Sequence, residues 1–516
     1  MGTTRTCGRA SRALRPLAAG LALAAAPALL PAATALRPGE LEGHGITTRE
    51  DGTPLATALR AWHLDALSHA APPRPDTTVR TVTNCDDDGE GSLRAVVAAS
   101  ASGDTIDLTA LACSAITLQT GAIAVRLDSA TIVGPSAHAL AIDGNDYDRV
   151  LLHYGAGTLV LRNLTIRNGH DRATRFRLAI GGCIASAGYL TLDHSTVTGC
   201  YAGGEGAYGG AIYAYSLLMS NSTLSNNQGY GVHLYAGTAA FGGAAFVYQL
   251  DIVASTVTGN VARHKFNPER TNYDIGGGIC VVRSGLVVAS TFDSNIAYGR
   301  GGGLATLGDI DVRDSTITGN MTSSVGGGGL FARAPATVSI SNSTITENTA
   351  PTGGGILLTA TIASLQSTII AGDLATDGTE IADAHALTFG GGNNLIGPVA
   401  PTITLPADTL VTSDPGLQPL AYNGGPTRTH ALRLDSIAID AGNNASSLPS
   451  DQRGPGFARV VGAAADIGAF EFDARAGDGI ARLPVPTLSQ WAIALLCACL
   501  AAFGIRAAQR RPSNDD

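Results

Sequence analysis

Residues 337–356 read TVSISNSTITENTAPTGGGI, and this stretch decides the fold. It contains a short alternating run, a Ser-Thr-Ile string, an asparagine, and a glycine cluster followed by an aliphatic residue. The string recurs along the chain as a threonine flanked by similar residues, with 24 to 35 residues between successive threonines. The recurring threonines are Thr165, Thr196, Thr223, Thr256, Thr291, Thr316, Thr344 and Thr368. The body of the chain is therefore one unit repeated many times.

Each unit contains three short runs in which apolar and polar residues alternate, with turns between them. Alternation with a period of two places one set of side chains inside and the other set outside. A unit this short cannot bury its apolar face alone, so neighbouring units must stack. The sequence therefore predicts an all-β protein, a right-handed parallel β-helix around an aliphatic core. We expect Ile317, Ile345 and Ile369 to stack as one inward column.

Asparagine recurs four residues after the repeated threonine. The positions are Asn227, Asn260, Asn295, Asn320 and Asn348, and Cys200 takes the same position in an earlier unit. Stacked asparagine side chains form hydrogen bonds along the axis of such a fold, and asparagine tolerates the left-handed backbone that a turn needs. We interpret this column as a structural ladder.

Composition excludes several classes of protein. Glycine accounts for 65 of 516 residues, charged residues for 15%, and the net charge is −9. A disordered polyelectrolyte needs more charge and less apolar content, and collagen needs glycine at every third position. A protein that binds nucleic acid without sequence preference carries a basic surface. We therefore expect no nucleic-acid partner.

Both ends of the chain carry apolar segments. Residues 1–35 combine an arginine-rich start, an apolar run and Ala33-Thr34-Ala35, which is typical of a signal peptide. Residues 488–505 are apolar over the length that a bilayer requires. Arginines follow this run and favour a cytoplasmic end. The sequence therefore predicts export and a C-terminal transmembrane helix.

The segment around this apolar run resembles the IPTL-type sorting tail of bacterial surface proteins. The residues that carry the resemblance are Val485, Pro486, Thr487, Leu488 and Trp491. The resemblance implies a protein at the cell surface or outside the cell, held transiently in the inner membrane by its C-terminal helix. It also implies a processing partner, an exosortase-like membrane protease.

The segments that flank the repeats resemble the ends of bacterial exported β-helix proteins of the choice-of-anchor type. Residues 81–95 with Cys113 carry the resemblance at one end, and the DQRG and DIGAFE runs at 451–454 and 466–471 carry it at the other. The whole chain then divides into a signal peptide (1–35), a variable segment with a linker (36–78), a cap (79–130), the repeats (131–400), a closing segment (401–473), a second linker (474–482) and the sorting tail (483–516).

The cap is predicted to contain a short helix and a disulfide. Ser92 can cap a helix from Leu93 to Ser100 that would cover the first turn. An exported protein can form disulfides, and we expect Cys85 to pair with Cys113. A second pair, Cys183 with Cys200, is possible because their columns flank one lateral loop in adjacent turns. These pairings leave Cys280 free.

No complete catalytic set is visible in the sequence, and we predict no catalytic residue, cofactor or metal. Parallel β-helices do include polysaccharide lyases and glycoside hydrolases, so an enzyme acting in a lateral groove remains the alternative. The candidate acids are Asp193, Asp251, Asp293, Asp309, Asp311 and Asp314. We expect Asp251 to lie two turns from the strand of Asp309 and Asp311, and Asp193 to match Asp314 at a turn.

The loops between each threonine string and the following glycine cluster vary in length and gather arginines and aromatic residues. We predict that they form a ridge that binds an acidic extracellular polysaccharide, because aromatic rings stack on sugars and arginines bind carboxylates. The residues proposed for this ridge are Arg175, Arg177, Tyr208, Tyr230, Tyr235, Lys265 and Arg270. Two alternatives stay open: drift of loop insertions without function, and an adhesin or matrix protein whose ligand is another cell.

Overall fold

The computed structural model describes residues 78–172, 178–232, 239–264, 274–333, 335–359, 362–383, 387–445 and 447–474. These residues form a parallel β-solenoid of about 11 turns. Strands of successive turns pair in parallel in each of the long sheets. The predicted all-β fold of stacked repeats is therefore confirmed. Its right-handed coil stays a prediction, supported by the rule that about 98% of parallel crossovers are right-handed.

The first sheet has 19 strands, because most turns contribute two short strands or one long strand to it. Its strands are Val79–Thr81, Thr105–Asp107, Ile123–Val125, Ala130–Val133, Leu151–His153, Thr158–Arg162, Ile184–Ser186, Tyr189–Asp193, Ile212–Ser220, Ala245–Val253, Ile279–Val288, Leu304–Thr306, Asp309–Arg313, Leu330–Arg333, Thr337–Ser341, Ile356–Thr359, Ile362–Gln366, Ile381–Asp383 and Gly390–Gly392.

The second sheet has 12 strands and contains the repeated threonines except Thr368, which directly precedes one of its strands. Its strands are Ala115–Thr117, Ala141–Asp143, Thr165–Arg167, Thr196–Thr198, Thr223–Ser225, Thr256–Thr258, Thr291–Asp293, Thr316–Thr318, Thr344–Thr346, Ile369–Ile370, Leu395–Ile396 and Leu410–Val411. The third sheet has eight strands: His170–Arg172, Tyr201–Gly204, Gln228–Gly231, Val261–His264, Ile296–Ala297, Met321–Thr322, Thr349–Ala350 and Leu374–Ala375. A further pair of strands is Leu387–Thr388 with Ile403–Thr404.

A fourth sheet, which the repeat pattern did not predict, lies between the third sheet and the outer face of the first. Its three strands are Ala179–Ile180, Ala207–Tyr208 and Ala240–Phe241. The alanines of these strands pack with Ala202 and Ala262 of the third sheet. The larger residue of each strand packs with Tyr213 and Phe246 of the first sheet. The alanine of each strand therefore fills the space toward the third sheet, and the larger residue fills the space toward the first sheet.

Aliphatic side chains fill the axis of the solenoid. Ile317 pairs with Ile345, as predicted, and both are fully buried. The next residue of this column is Ile370, because Thr344 pairs with Ile369 and Ile345 with Ile370. A shift of one residue moves a side chain to the other face of a strand. The prediction for Ile369 is therefore wrong, and its side chain packs outside the solenoid against the closing segment.

The asparagine ladder is present. The side-chain amide of Asn227 donates to the side-chain oxygen of Asn260 at 2.9 Å, and Asn295, Asn320 and Asn348 continue the series in the same way. A second ladder consists of buried serines, in which the backbone N–H of each serine but the last donates to the hydroxyl oxygen of the serine one turn later. Its members are Ser195, Ser222, Ser255, Ser290, Ser315 and Ser343.

The left-handed backbone does not fall on the ladder asparagines, contrary to expectation. It falls on the residue before them, for example on Asn226 with φ 54° and on Gly259 with φ 64°. The ladder positions therefore require asparagine for its hydrogen bonds, and the turn is made by their neighbours.

The cap and the cysteines follow the prediction closely. A helix, Leu93–Ala99, begins after Ser92, whose hydroxyl accepts from the backbone N–H of Ala95 at 3.2 Å. Cys85 is bonded to Cys113, and Cys183 to Cys200. Cys280 is free and buried. Both predicted disulfides are confirmed.

The closing segment folds back along the outer face of the second sheet. Gln452 accepts from the hydroxyl of Thr316 at 2.6 Å and donates to the hydroxyl oxygen of Thr291 at 2.9 Å. His430 lies 2.9 Å from the hydroxyl of Thr318. Threonines that are half-buried in the earlier turns are therefore buried here.

The described residues contain no helix that is long and apolar enough to cross a membrane. The predicted signal peptide at 1–35, the span at 488–505 and the sorting motif lie outside the described residues.

Candidate functional site

Outward-facing side chains on the first four strands of the third sheet form a continuous strip. His170 is in register with Tyr201 and Gln228, and Arg172 is in register with Gly203, Tyr230 and Arg263. The residues between these positions are buried, so the strip residues face outward. We define the strip as His170, Arg172, Tyr201, Gln228, Tyr230 and Arg263.

The strip residues are in contact from one turn to the next. The rings of His170 and Tyr201 lie 4.5 Å apart, and those of Tyr201 and Tyr230 lie 6.4 Å apart in a stacked arrangement. The guanidinium of Arg263 lies 5.6 Å from the centre of the Tyr230 ring. Arg172 Nε donates to His170 Nε2 at 2.9 Å. An aromatic row with a guanidinium at each end results.

Two details hold the side chains in place. The ring of Tyr201 lies across the strand, where a Cβ atom on Gly203 would be 2.3 Å from it. The amide oxygen of Gln228, oriented toward Arg263, accepts from its Nε and Nη2 at 3.0 and 3.1 Å. Glycine at 203 and glutamine at 228 are therefore part of the geometry of the strip.

The charge of the strip comes from its arginines. Burial and the nearby Arg172 lower the pKa of His170, so its imidazole is neutral at pH 7. Burial also raises the pKa of Tyr201, whose hydroxyl stays protonated. The strip therefore presents neutral rings between the cations Arg172 and Arg263, in a protein whose net charge is −9.

A buried ion pair and a buried histidine–aspartate contact lie beneath the strip, at the ends of two segments outside the described residues. Asp171 pairs with Arg149, and its Oδ2 accepts from the backbone N–H of Ile180 at 2.8 Å. His264 pairs with Asp274, both buried. Asp171 and Ile180 flank residues 173–177, and His264 and Asp274 flank residues 265–273. The two ends of each of these loops are thus held together next to the strip.

Of the residues predicted for the ridge, Tyr230 belongs to the strip. Tyr208 does not: it is 1% exposed and packs between Phe241 and Phe246, at 5.1 Å from each ring. Its assignment to a ligand surface is wrong, because it faces the first sheet from the fourth. The other five predicted residues, Arg175, Arg177, Tyr235, Lys265 and Arg270, lie outside the described residues. Their segments, 173–177, 233–238 and 265–273, start within two residues of a third-sheet strand.

His170, Arg172, Tyr201, Gln228 and Arg263, which complete the strip, were not among the residues predicted from the sequence for the ridge. The usable signal was the alternation within these short strands, which separates the outward His170 and Arg172 from the buried Asp171. The strands are only three or four residues long, so their alternation is too short to distinguish them from the segments that follow.

The candidate acids are mostly engaged elsewhere. Asp193 contacts Arg162, His194 and Ser220 at 2.7–2.9 Å. Asp293 pairs with Arg428 at 2.6 Å. Within the described residues, both carboxylates are therefore engaged by these partners and not paired with the second acid that a glycoside hydrolase requires.

Register places the remaining acids. Asp251 and Asp311 both pair with Leu286, so they lie two turns apart on one face, as expected. The match of Asp193 with Asp314 is wrong, because the column of Asp193 continues to Arg313. Asp314 is buried beneath the closing segment instead.

Comparison with known proteins adds the identity of the tail. Residues 484–511 match the IPTL-CTERM motif. No curated protein and no solved structure matches the chain. The motif is a sorting signal cleaved by a processing enzyme, and it implies an exported, surface-sorted protein. Fold and tail together describe a β-solenoid with a surface-sorting tail.

Proposed function

We propose that this surface-sorted β-solenoid binds an acidic extracellular polysaccharide through the strip and acts without catalysis. The observation that carries the proposal is the run of His170, Tyr201 and Tyr230 between Arg172 and Arg263 on successive strands. Aromatic faces stack on sugar rings, and guanidinium groups bind carboxylates in a planar, paired geometry. Four strands spaced about 4.8 Å apart cover about 14 Å, the length of a few sugar rings.

The loop residues extend this surface in our proposal. Arg175, Arg177, Tyr235, Lys265 and Arg270 belong to segments that follow the strip strands in sequence, and the buried contacts Arg149–Asp171 and His264–Asp274 involve described residues that flank two of those segments. We propose that these residues bring further cations and one more aromatic ring to a ligand on the strip.

The path to the surface is part of the proposal. Residues 1–35 direct export, residues 488–505 hold the chain in the inner membrane, and an exosortase-like protease processes the tail. The cap, repeat and closing boundaries at 79–130, 131–400 and 401–473 belong to the same proposal, together with the flanking segments 36–78 and 474–482.

Calorimetry on the full-length protein with hexagalacturonate tests the binding site. Changing Arg172 and Arg263 to serine should weaken binding at least tenfold, and added salt should weaken binding to the parent, because exposed charges are screened beyond about 8–10 Å. The matched control changes Arg162 and Arg433, which lie on other surfaces, to serine. Equal affinities of parent and strip variant, or no binding by the parent, would contradict the proposal.

A glycoside hydrolase remains the second candidate, favoured by Asp251 and Asp311. Two turns separate them by about 9.6 Å, just above the separation of about 6.5–9.5 Å between the two carboxyl groups of inverting enzymes. Partial desolvation raises the pKa of the exposed Asp251, in the direction that a general acid requires, while Arg313 Nε donates to Asp311. Release of reducing ends from a polysaccharide, abolished by Asp251→Asn and by Asp311→Asn, would establish this activity.

A further inference from the structure

A second group of aromatic side chains lies on the outer face of the first sheet. Tyr189, Tyr215 and Tyr248 occupy three successive turns. The ring of Tyr215 meets Tyr189 edge-on and Tyr248 face to face, with 5.8 Å between centroids in both pairs. Tyr248 is buried, whereas Tyr189 and Tyr215 are half-buried and face outward. We call Tyr189 and Tyr215 the tyrosine platform.

A row of uncharged polar side chains continues from this platform. Tyr189 is in register with Ser216, Gln249 and Ser284 on the next three turns. The residue after each of the first three is an inward leucine, so the row faces outward. Ser216 and Gln249 are half-buried and Ser284 is exposed. Hydroxyl and amide groups of this kind both donate and accept hydrogen bonds.

A β-bulge orients a cation toward the platform. One extra residue enters the strand of Arg283, opposite the step from Val247 to Gln249. Such bulges redirect side chains and are frequent beside functional sites. Arg283 Nη1 donates to the hydroxyl oxygen of Tyr215, 3.5 Å away and two turns back. This contact holds the hydroxyl end of the Tyr215 ring.

We propose that the tyrosine platform and the polar row form a second carbohydrate site, which takes an uncharged oligosaccharide. The apolar face of a sugar ring stacks on an aromatic ring, and its hydroxyl groups match Ser216, Gln249 and Ser284. Turns spaced about 4.8 Å apart place one polar side chain beside each successive sugar.

Arg283 is the cation at this surface and donates to the Tyr215 hydroxyl, whereas the carboxylates beside the polar row disfavour an acidic ligand. Asp251, two residues after Gln249, is exposed on the same face. Asp309 continues the row after Ser284. Carboxylates at these positions repel an anionic sugar but can accept hydrogen bonds from sugar hydroxyls. The platform therefore differs in ligand chemistry from the strip, and this inference does not rest on the polysaccharide proposed there.

The test uses the full-length protein, with cellohexaose and maltohexaose as uncharged probes and hexagalacturonate as the acidic probe. We expect one of the uncharged hexasaccharides to bind with an affinity that salt does not change. Tyr189→Ser combined with Gln249→Ala should weaken this binding at least tenfold. The matched control, Tyr147→Ser, removes a tyrosine that is 67% exposed elsewhere and should leave binding unchanged.

Each other outcome decides against the site. Failure of both uncharged hexasaccharides to bind the parent overturns the proposal, as does binding that the double variant retains. Loss of hexagalacturonate binding in the double variant, without any uncharged ligand, would assign the surface to acidic glycans instead. Changing Arg172 and Arg263 to serine should leave the uncharged ligand bound, which separates this test from that of the strip. Melting curves and the disulfide pattern confirm that each variant is folded.

Discussion

Asp373 stands where the asparagine ladder ends. Its Oδ1 accepts from the side-chain amide of Asn348 at 2.8 Å, in the place that an asparagine oxygen takes in earlier turns. Burial and the neighbouring Glu380 raise the pKa of Asp373 well above its ordinary value. A protonated Asp373 is therefore favoured in the folded chain, and a charged one in the unfolded chain.

Because of this difference, the free energy of unfolding depends on pH. The folded state binds the proton more tightly, so the contribution of Asp373 is fully present below about pH 4 and is lost as pH rises through the folded pKa. Asp373→Asn continues the ladder without a charge. We expect it to raise the free energy of unfolding at pH 8 by about 1 kcal/mol or more and to flatten its pH dependence, measured by denaturant unfolding from pH 4 to 8. A variant less stable than the parent at pH 8 would contradict this assignment.

Gly203 provides a second prediction for a single residue. Alanine there places a Cβ where the Tyr201 ring lies, so the ring must move away from Tyr230. We expect Gly203→Ala to weaken binding of hexagalacturonate several-fold while changing the free energy of unfolding by less than about 1 kcal/mol. Calorimetry and thermal melting measure the two effects. Unchanged affinity would show that the position of Tyr201 does not matter for the ligand.

Among the strands, register decides what a substitution does. Ile345 lies between Ile317 and Ile370 in the core. Ile345→Asp would bury an unpaired carboxylate, which costs several kcal/mol, and the damage should spread to both neighbouring turns because stacked repeats share their interfaces. Thermal melting and hydrogen exchange of the three strands measure this. The matched change Thr349→Asp, on an outward position of the third sheet, should have little effect.

The closing segment gives a prediction of its own. Burial raises the pKa of Asp314, beneath this segment, to about 7, and that of Glu471 in the segment to about 7. Both groups favour folding when protonated, so their contribution is present at low pH and is lost as pH rises through about 7. The segment should therefore loosen between pH 6 and pH 8.

Hydrogen exchange, corrected for the intrinsic pH dependence, measures this loosening in residues 427–430 and 451–454. We expect at least tenfold faster exchange at pH 8 than at pH 6, and Asp314→Asn should reduce the difference. Strands of the first sheet away from the segment serve as the internal control. Equal protection at both pH values would contradict this prediction. It would mean that Arg459, 3.8 Å from Asp314, compensates the charge of the ionised carboxylate, so that ionisation does not destabilise the segment.

For the whole molecule, the repeat predicted the solenoid because three strands with a fixed period leave few ways to bury the apolar face. The ladder and the Cys183–Cys200 pair followed from the same alignment, whereas the cap and the Cys85–Cys113 pair followed from the resemblance of residues 81–95 and Cys113 to the ends of exported β-helix proteins. Aligning the repeats by their threonines gave the wrong face for Ile369. One added residue moves its side chain to the other face of the strand, although the Ser-Thr-Ile string looks the same. The alignment also failed at Tyr208, because two-residue strands such as Ala207–Tyr208 carry no periodicity. The strip was missed for a related reason: its strands are short, and its register exists only after stacking.

The tail carries the last prediction. Changing Pro486 and Thr487 to alanine should block processing, because both belong to the sorting motif at 484–511. We expect the uncut chain to accumulate in the inner-membrane fraction instead of at the cell surface, measured by fractionation and mass spectrometry. The control Asp478→Asn, before the motif, should be processed normally. Normal surface display of the alanine variant would show that the processing enzyme does not recognise these residues.

The position at which the closing segment ends has a mechanical consequence. Gly468 donates to the carbonyl of Ser367, and Ala469 to the hydroxyl of Thr344, so the chain leaves the body beside its later turns. If tension is applied at residue 474 along the axis of the solenoid, it reaches the row of contacts at His430, Gln452 and Ala469 first. A row that lies parallel to the pull is loaded in shear, and its bonds share the load. A force applied at the C-terminal end would therefore be borne first by the contacts of the closing segment, and would load the turns that carry the strip only after those contacts break.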